Sequence, residues 1–185
     1  MNGRTKKITA AAALLAICIV SQFFKNFSVY ITGPIINACL LLAVIYCDLF
    51  WGCVLAVITP VTAFLITGAP VMKAVPAIMP LIMAGNLVLV MVFWLLWKKG
   101  SDFGKGPNLK LIRAGILGSV AKGAFMALTI SYGVLAVVTL PEKMQAMLPV
   151  LRTTYSVTQL LTALIGTAYT CVIKLALDKA VRTQS

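Results

Sequence analysis

Long apolar runs separated by short polar breaks set the pattern of this chain. The first run covers residues 8–24 and stops at Lys25 and Asn26. A mixed stretch from Phe27 to Pro34 leads to a second run over 35–47. Asp48 interrupts the pattern, and a third run follows over 50–67. As one helix, residues 35–67 would extend about 50 Å at roughly 1.5 Å per residue. A hydrocarbon core is only about 30 Å thick, so this stretch reads as a hairpin turning near Asp48. Gly68-Ala69-Pro70-Val71-Met72-Lys73 connects to a fourth run over 76–97, which stops at Lys98-Lys99-Gly100. Residues 98–110 are the one frankly polar stretch in mid-chain; the fifth run covers 111–140 and the sixth 149–177. The pattern predicts an all-α membrane protein of six transmembrane helices, forming one transmembrane domain over 1–185 without internal repeats.

Composition strengthens this reading. The chain is 61% hydrophobic and 11% charged, against about 25% charged in soluble domains. Its net charge of +12 does not point to nucleic acid, because the basic residues lie in the gaps between apolar runs rather than on one exposed face. With six spans, both termini share a side. That side carries Arg4, Lys6, Lys7, Lys98, Lys99, Lys105, Lys110, Arg113, Lys174, Lys179 and Arg182, whereas the other carries Lys25, Lys73, Lys143 and Arg152. Eleven against four places both termini in the cytoplasm by the positive-inside bias. Trp51, Trp94 and Trp97 fall at the same inner boundary. The basic start followed by an apolar run imitates a signal peptide, but the run is long and lacks a small-x-small cleavage site, so it reads as the first span.

Absences exclude most enzyme classes. There is no histidine, and the four carboxylates Asp48, Asp102, Glu142 and Asp178 all map to loops or helix ends. No acid is placed to relay protons or hold a catalytic metal. The five cysteines lie in or beside apolar runs without a Cys-x-x-Cys pair, which supports neither a zinc site nor a disulfide framework. Gly100–Gly106 lacks the spacing and the preceding strand of a nucleotide-binding loop. No catalysis and no cofactor are expected.

Lys122 is the sharpest feature. It lies nine residues beyond Arg113 inside the fifth run, where a charge costs about 2.5–3.5 kcal/mol and usually serves function. Two readings stand: a long tilted helix lets it snorkel to the inner surface, or it binds the acidic group of a small substrate. Asn37, Asn86, Thr158 and Gln159 also lie within spans. Each is explained either as interhelical glue or as part of a polar pocket open to the outside, with Tyr30 and Tyr155 closing it over a ring. Pro60 and Pro80 remove backbone hydrogen bonds and can bend their helices.

Four features together resemble one family. The length and span count fit, with both ends inside. Lys6-Lys7-Ile8-Thr9 leads into an alanine-rich first helix containing the pair Ala12 and Ala16, and Leu49-Phe50-Trp51-Gly52 forms a tight inner turn with an aromatic and a glycine. In these the chain resembles the S components of the energy-coupling factor (ECF) transporters, the membrane subunits that capture vitamins. The resemblance implies an S-component-like bundle in the cell membrane of a prokaryote, capturing a vitamin or related small molecule at the outer face. It implies docking through Ala12 and Ala16 to a membrane coupling subunit, with two ATPase subunits driving uptake while the S component topples. Substrate-binding candidates are Lys122, Asn86, Asn37, Tyr30, Tyr155 and Gln159. A self-sufficient small carrier or channel, or a membrane scaffold, are the alternatives.

Overall fold

Within lipid, every backbone N–H and C=O must be paired inside the protein, so an apolar run that crosses has to be helical. The computed structural model describes residues 3–24, 28–99 and 107–184, and every regular element among them is a helix. Lys25–Phe27 and Gly100–Gly106, which hold Lys25, Asp102, Lys105 and the glycine-rich loop, lie outside the described residues. Six helices are long and apolar enough to cross a bilayer. The principal α-helix of each is α1 (Gly3–Gln22), α2 (Val29–Tyr46), α3 (Leu49–Thr67), α4 (Ile78–Trp94), α5 (Pro107–Met126) and α6 (Val157–Gln184), the last three spans taking in adjoining segments. The protein is an all-α, multi-pass membrane bundle.

Several boundaries differ from the apolar runs, each for a local reason. The second span begins at Val29 rather than 35, because Ser28 caps it: its hydroxyl accepts from the Tyr30 N–H at 3.1 Å. Pro34 therefore lies inside α2, and Tyr30 sits in its first turn rather than in a loop. The turn between α2 and α3 is confined to Cys47 and Asp48, so Leu49-Phe50-Trp51-Gly52 is the first turn of α3. The fifth span widens into a π-helical segment, Ala127–Val134, and ends at Val137, short of residue 140. The sixth is broken at Tyr155 and Ser156: a short helix, Leu148–Thr154, precedes α6, which runs on beyond residue 177 to Gln184.

Asp48 shows how the hairpin is held. Its φ of +130° lies in a region that favours glycine. Its carboxylate accepts from the Phe50 N–H at 3.0 Å and pairs with Lys7 at 3.0 Å. Partial burial opposes ionisation, but Lys7 and the N–H groups of Trp51 and Phe50 outweigh it and hold the carboxyl below its ordinary range.

The interior has two apolar cores. One gathers Leu40, Leu41, Val44, Leu55, Leu89, Phe93 and Leu111 towards the end bearing the α2–α3 turn, with Trp51, Trp94 and Trp97 packed against it. The other gathers Met72, Ile78, Met126, Ile130, Leu135 and Tyr155 at the opposite end. Asn86 and Lys122 fall between them in α4 and α5, Asn37 lies a turn before Leu40 and Leu41 of the first core in α2, and all three are buried. Close helix contact fixes this middle layer. A Cβ on Gly166 of α6 would lie 2.7 Å from Asn37 Cβ, 2.9 Å from the Pro34 carbonyl oxygen and 3.1 Å from the Ala38 nitrogen. Two of those atoms are backbone and cannot swing aside. Gly166→Ala is therefore expected to push α6 off α2 and cost about 1–3 kcal/mol, read as a lower unfolding temperature in detergent; an unchanged temperature would mean the helices separate freely.

Candidate functional site

The site is built around Lys122. Its side chain is 3% exposed, and its ammonium donates to Asn37 Oδ1 and Asn86 Oδ1, each at 2.7 Å. It points into the bundle between α2 and α4 and does not snorkel. Both partners are neutral. Asp48 pairs with Lys7 and Asp178 with Lys174, and among the described residues no carboxylate reaches Lys122. An ammonium has three donors; the two amides take two of them.

Asn86 is aimed by a defect in the neighbouring helix. Pro60 has no N–H to give to the carbonyl four residues back, and that carbonyl, on Ala56, instead accepts from Asn86 Nδ2 at 3.3 Å. With its NH₂ committed to α3, the amide turns its oxygen towards Lys122. Asn37 is held from behind by α6 at Gly166.

These groups border a cavity of about 130 Å³, lined also by Thr59 and Pro60 of α3, Ile82 of α4, and Tyr155 and Gln159. It lies on the side of the second core, away from the chain termini. Thr59 is only 1% exposed, and its hydroxyl has no hydrogen-bond partner among the described residues. Threonines inside helices commonly bond back to the preceding turn, as Thr67 does to the Ala63 carbonyl at 2.7 Å and Thr167 to that of Ala163 at 3.1 Å. Thr59 does not. Its own carbonyl accepts from Gln22 Nε2 at 3.0 Å, which ties α1 to α3 beside the cavity.

The far wall comes from the broken sixth span. Ser131, in the π-helical segment, donates to the Arg152 carbonyl at 2.9 Å and fastens Leu148–Thr154 over the end of α5. Wide π turns of this kind recur at functional sites. The break that follows turns Tyr155, 8% exposed, into the second core and the cavity wall. Gln159 Nε2 donates to the Thr154 carbonyl at 3.4 Å.

Of the residues singled out in the sequence, Lys122, Asn37, Asn86, Tyr155 and Gln159 line one cavity. Tyr30 does not join them. Because α2 begins at Val29, the residues facing the cavity are Val29, Thr32, Gly33 and Ile36, at helical spacing. Tyr30 is turned outwards, 52% exposed, with its hydroxyl 3.4 Å from Thr158 Oγ1. Ala12 and Ala16 are exposed on α1 and line no part of the cavity. Thr59 was missed; its only signal was a Thr-Pro step inside an apolar run.

The cavity offers a cation, hydroxyls, amides and an aromatic wall, which suits it to binding. Among the described residues no cluster of His, Cys, Asp or Glu is placed to hold a metal. Comparison of the chain with family models, with curated proteins and with solved structures gives no match.

Proposed function

We propose that this protein is the substrate-binding subunit of an ECF-type importer in the plasma membrane of a prokaryote. It captures a small, vitamin-like molecule in the cavity around Lys122, from the outer side. Uptake is driven by a separate membrane coupling subunit with two ATPase subunits. The observation that carries this reading is a buried ammonium, without a carboxylate partner among the described residues, bordering a cavity between spans on the side away from the termini. A charge in that position is costly, and a bound guest gives a reason for its presence. The basic residues gathered at the terminal side favour the orientation that turns the cavity outwards. The exposed small residues Ala12 and Ala16 on α1 leave a face on which another helix can approach closely.

The test is purification followed by mass spectrometry of whatever small molecule accompanies the protein, together with identification of copurifying ATPases. Cargo and ATPases are both expected. An Ala12→Leu/Ala16→Leu variant should keep its cargo and lose ATP-driven uptake; unchanged uptake would remove those residues from docking. Transport into liposomes without ATP or partners would make the protein a self-sufficient carrier instead, and neither cargo nor transport would leave the scaffold reading.

A further inference from the structure

We propose that the cavity selects a small single-ring molecule carrying one carboxylate, which Lys122 and Thr59 hold together. This inference rests on the binding-subunit reading and takes it to a substrate class.

Charge is the first ground. Lys122 is buried and hydrogen-bonded only to the neutral amides of Asn37 and Asn86, so the described residues leave its positive charge unbalanced at the cavity. A cationic guest would be repelled, and a neutral one would leave the ammonium as it is. A dianion would bring a second charge that no other side chain lining the cavity among the described residues can balance. A monoanion matches.

Hydrogen-bond donors are the second ground. The ammonium has a third N–H beyond those taken by the two amides. Thr59 lines the same cavity and is 1% exposed, and its buried hydroxyl has no partner among the described residues. An unpartnered buried hydroxyl costs stability and is relieved by an acceptor brought in from outside. Two donors suit the two oxygens of one carboxylate, and hydrogen bonds to an ionised acceptor are the stronger kind.

Size is the third. The cavity measures about 130 Å³. An apolar cavity of about 150 Å³ takes one benzene, whereas sites for drug-sized ligands run to roughly 300–1,000 Å³. Pro60, Ala63, Ile82 and Tyr155 supply apolar and aromatic wall for a ring.

The experiment uses the full chain in lipid nanodiscs, after any copurified molecule has been dialysed away, with three probes: benzoate, benzamide and 2-naphthoate. Benzoate is expected to raise the unfolding temperature and to bind at least about tenfold more tightly than its neutral isostere benzamide, since hydrogen bonds to a charged group are worth roughly twice those to a neutral one. The bicyclic 2-naphthoate should fail. Thr59→Val keeps the side-chain shape and removes only an unpartnered hydroxyl, so the empty protein should stay folded while benzoate weakens by roughly 10- to 100-fold. Equal binding of benzoate and benzamide, binding of neither, or full affinity for benzoate in Thr59→Val would overturn the carboxylate site; tight binding of 2-naphthoate would overturn the single-ring limit. A protein that gave those results yet still carried cargo and an ATPase partner would keep its place as a binding subunit, so the two readings fail separately.

Discussion

Asn86→Leu is expected to destabilise the bundle by about 2–5 kcal/mol, more than most single changes in its interior. The reason is that one amide serves two helices. Its oxygen accepts from Lys122 at 2.7 Å, and its nitrogen donates to the Ala56 carbonyl at 3.3 Å. Leucine fills the space but does neither. The ammonium would be left with Asn37 alone, and the Ala56 carbonyl, already denied its helical donor by Pro60, would be orphaned in a medium without water. An unsatisfied buried polar group costs about 1–3 kcal/mol, and more when it is charged.

The cause can be separated from simple loss of packing. In a Pro60→Ala background the Ala56 carbonyl regains a backbone donor, so Asn86→Leu should cost about 1 kcal/mol less there than in the parent. The measurement is a double-mutant cycle of unfolding free energies in detergent. A coupling of zero would show that the proline defect and the amide do not communicate.

The spans were readable from apolar runs because lipid forces helix on any segment that crosses it, whatever its side chains. Their ends were less readable. In the sequence Pro34 closes the mixed stretch ahead of the second run, but Ser28 supplies a cap upstream and carries the proline inside α2. That shift of a turn and a half is what turned Tyr30 away from the cavity. The break at Tyr155 and Ser156 falls within an apolar run, where hydropathy is blind to the course of the backbone. Lys122 announced itself because a charge inside a span is rare. Its partners read in the sequence either as interhelical glue or as pocket residues, since facing requires knowing which helices touch; Gly166 against Asn37 supplies part of that knowledge only in three dimensions. Thr59 was invisible for a different reason. Threonine is ordinary in a membrane helix, and only the absence of a partner for its hydroxyl sets it apart.

Asn37→Asp is expected to abolish capture of an anionic guest while leaving the fold intact. The substitution replaces an NH₂ by an oxygen of nearly the same size, so the tight contact with Gly166 is preserved. It places a carboxylate oxygen where an amide oxygen now sits, 2.7 Å from Lys122 Nζ. Two unit charges at about 4 Å interact by roughly 4 kcal/mol at an effective dielectric of about 20, and most of that attraction is offset by withdrawing the new carboxylate from water. Stability should therefore move by no more than about 1 kcal/mol. Binding responds differently, because the guest must now enter a site whose charge is already balanced and whose new occupant repels it. The loss should be on the order of 100- to 1,000-fold in affinity, equivalent to about 2.7–4.1 kcal/mol. It is read by calorimetry on the emptied protein and by disappearance of copurified cargo. A neutral guest held by shape alone would lose little, and a cationic one would gain. If the variant keeps its cargo at full affinity, the charge on Lys122 is structural, and the guest is recognised by the apolar wall of Pro60, Ile82 and Tyr155 without it.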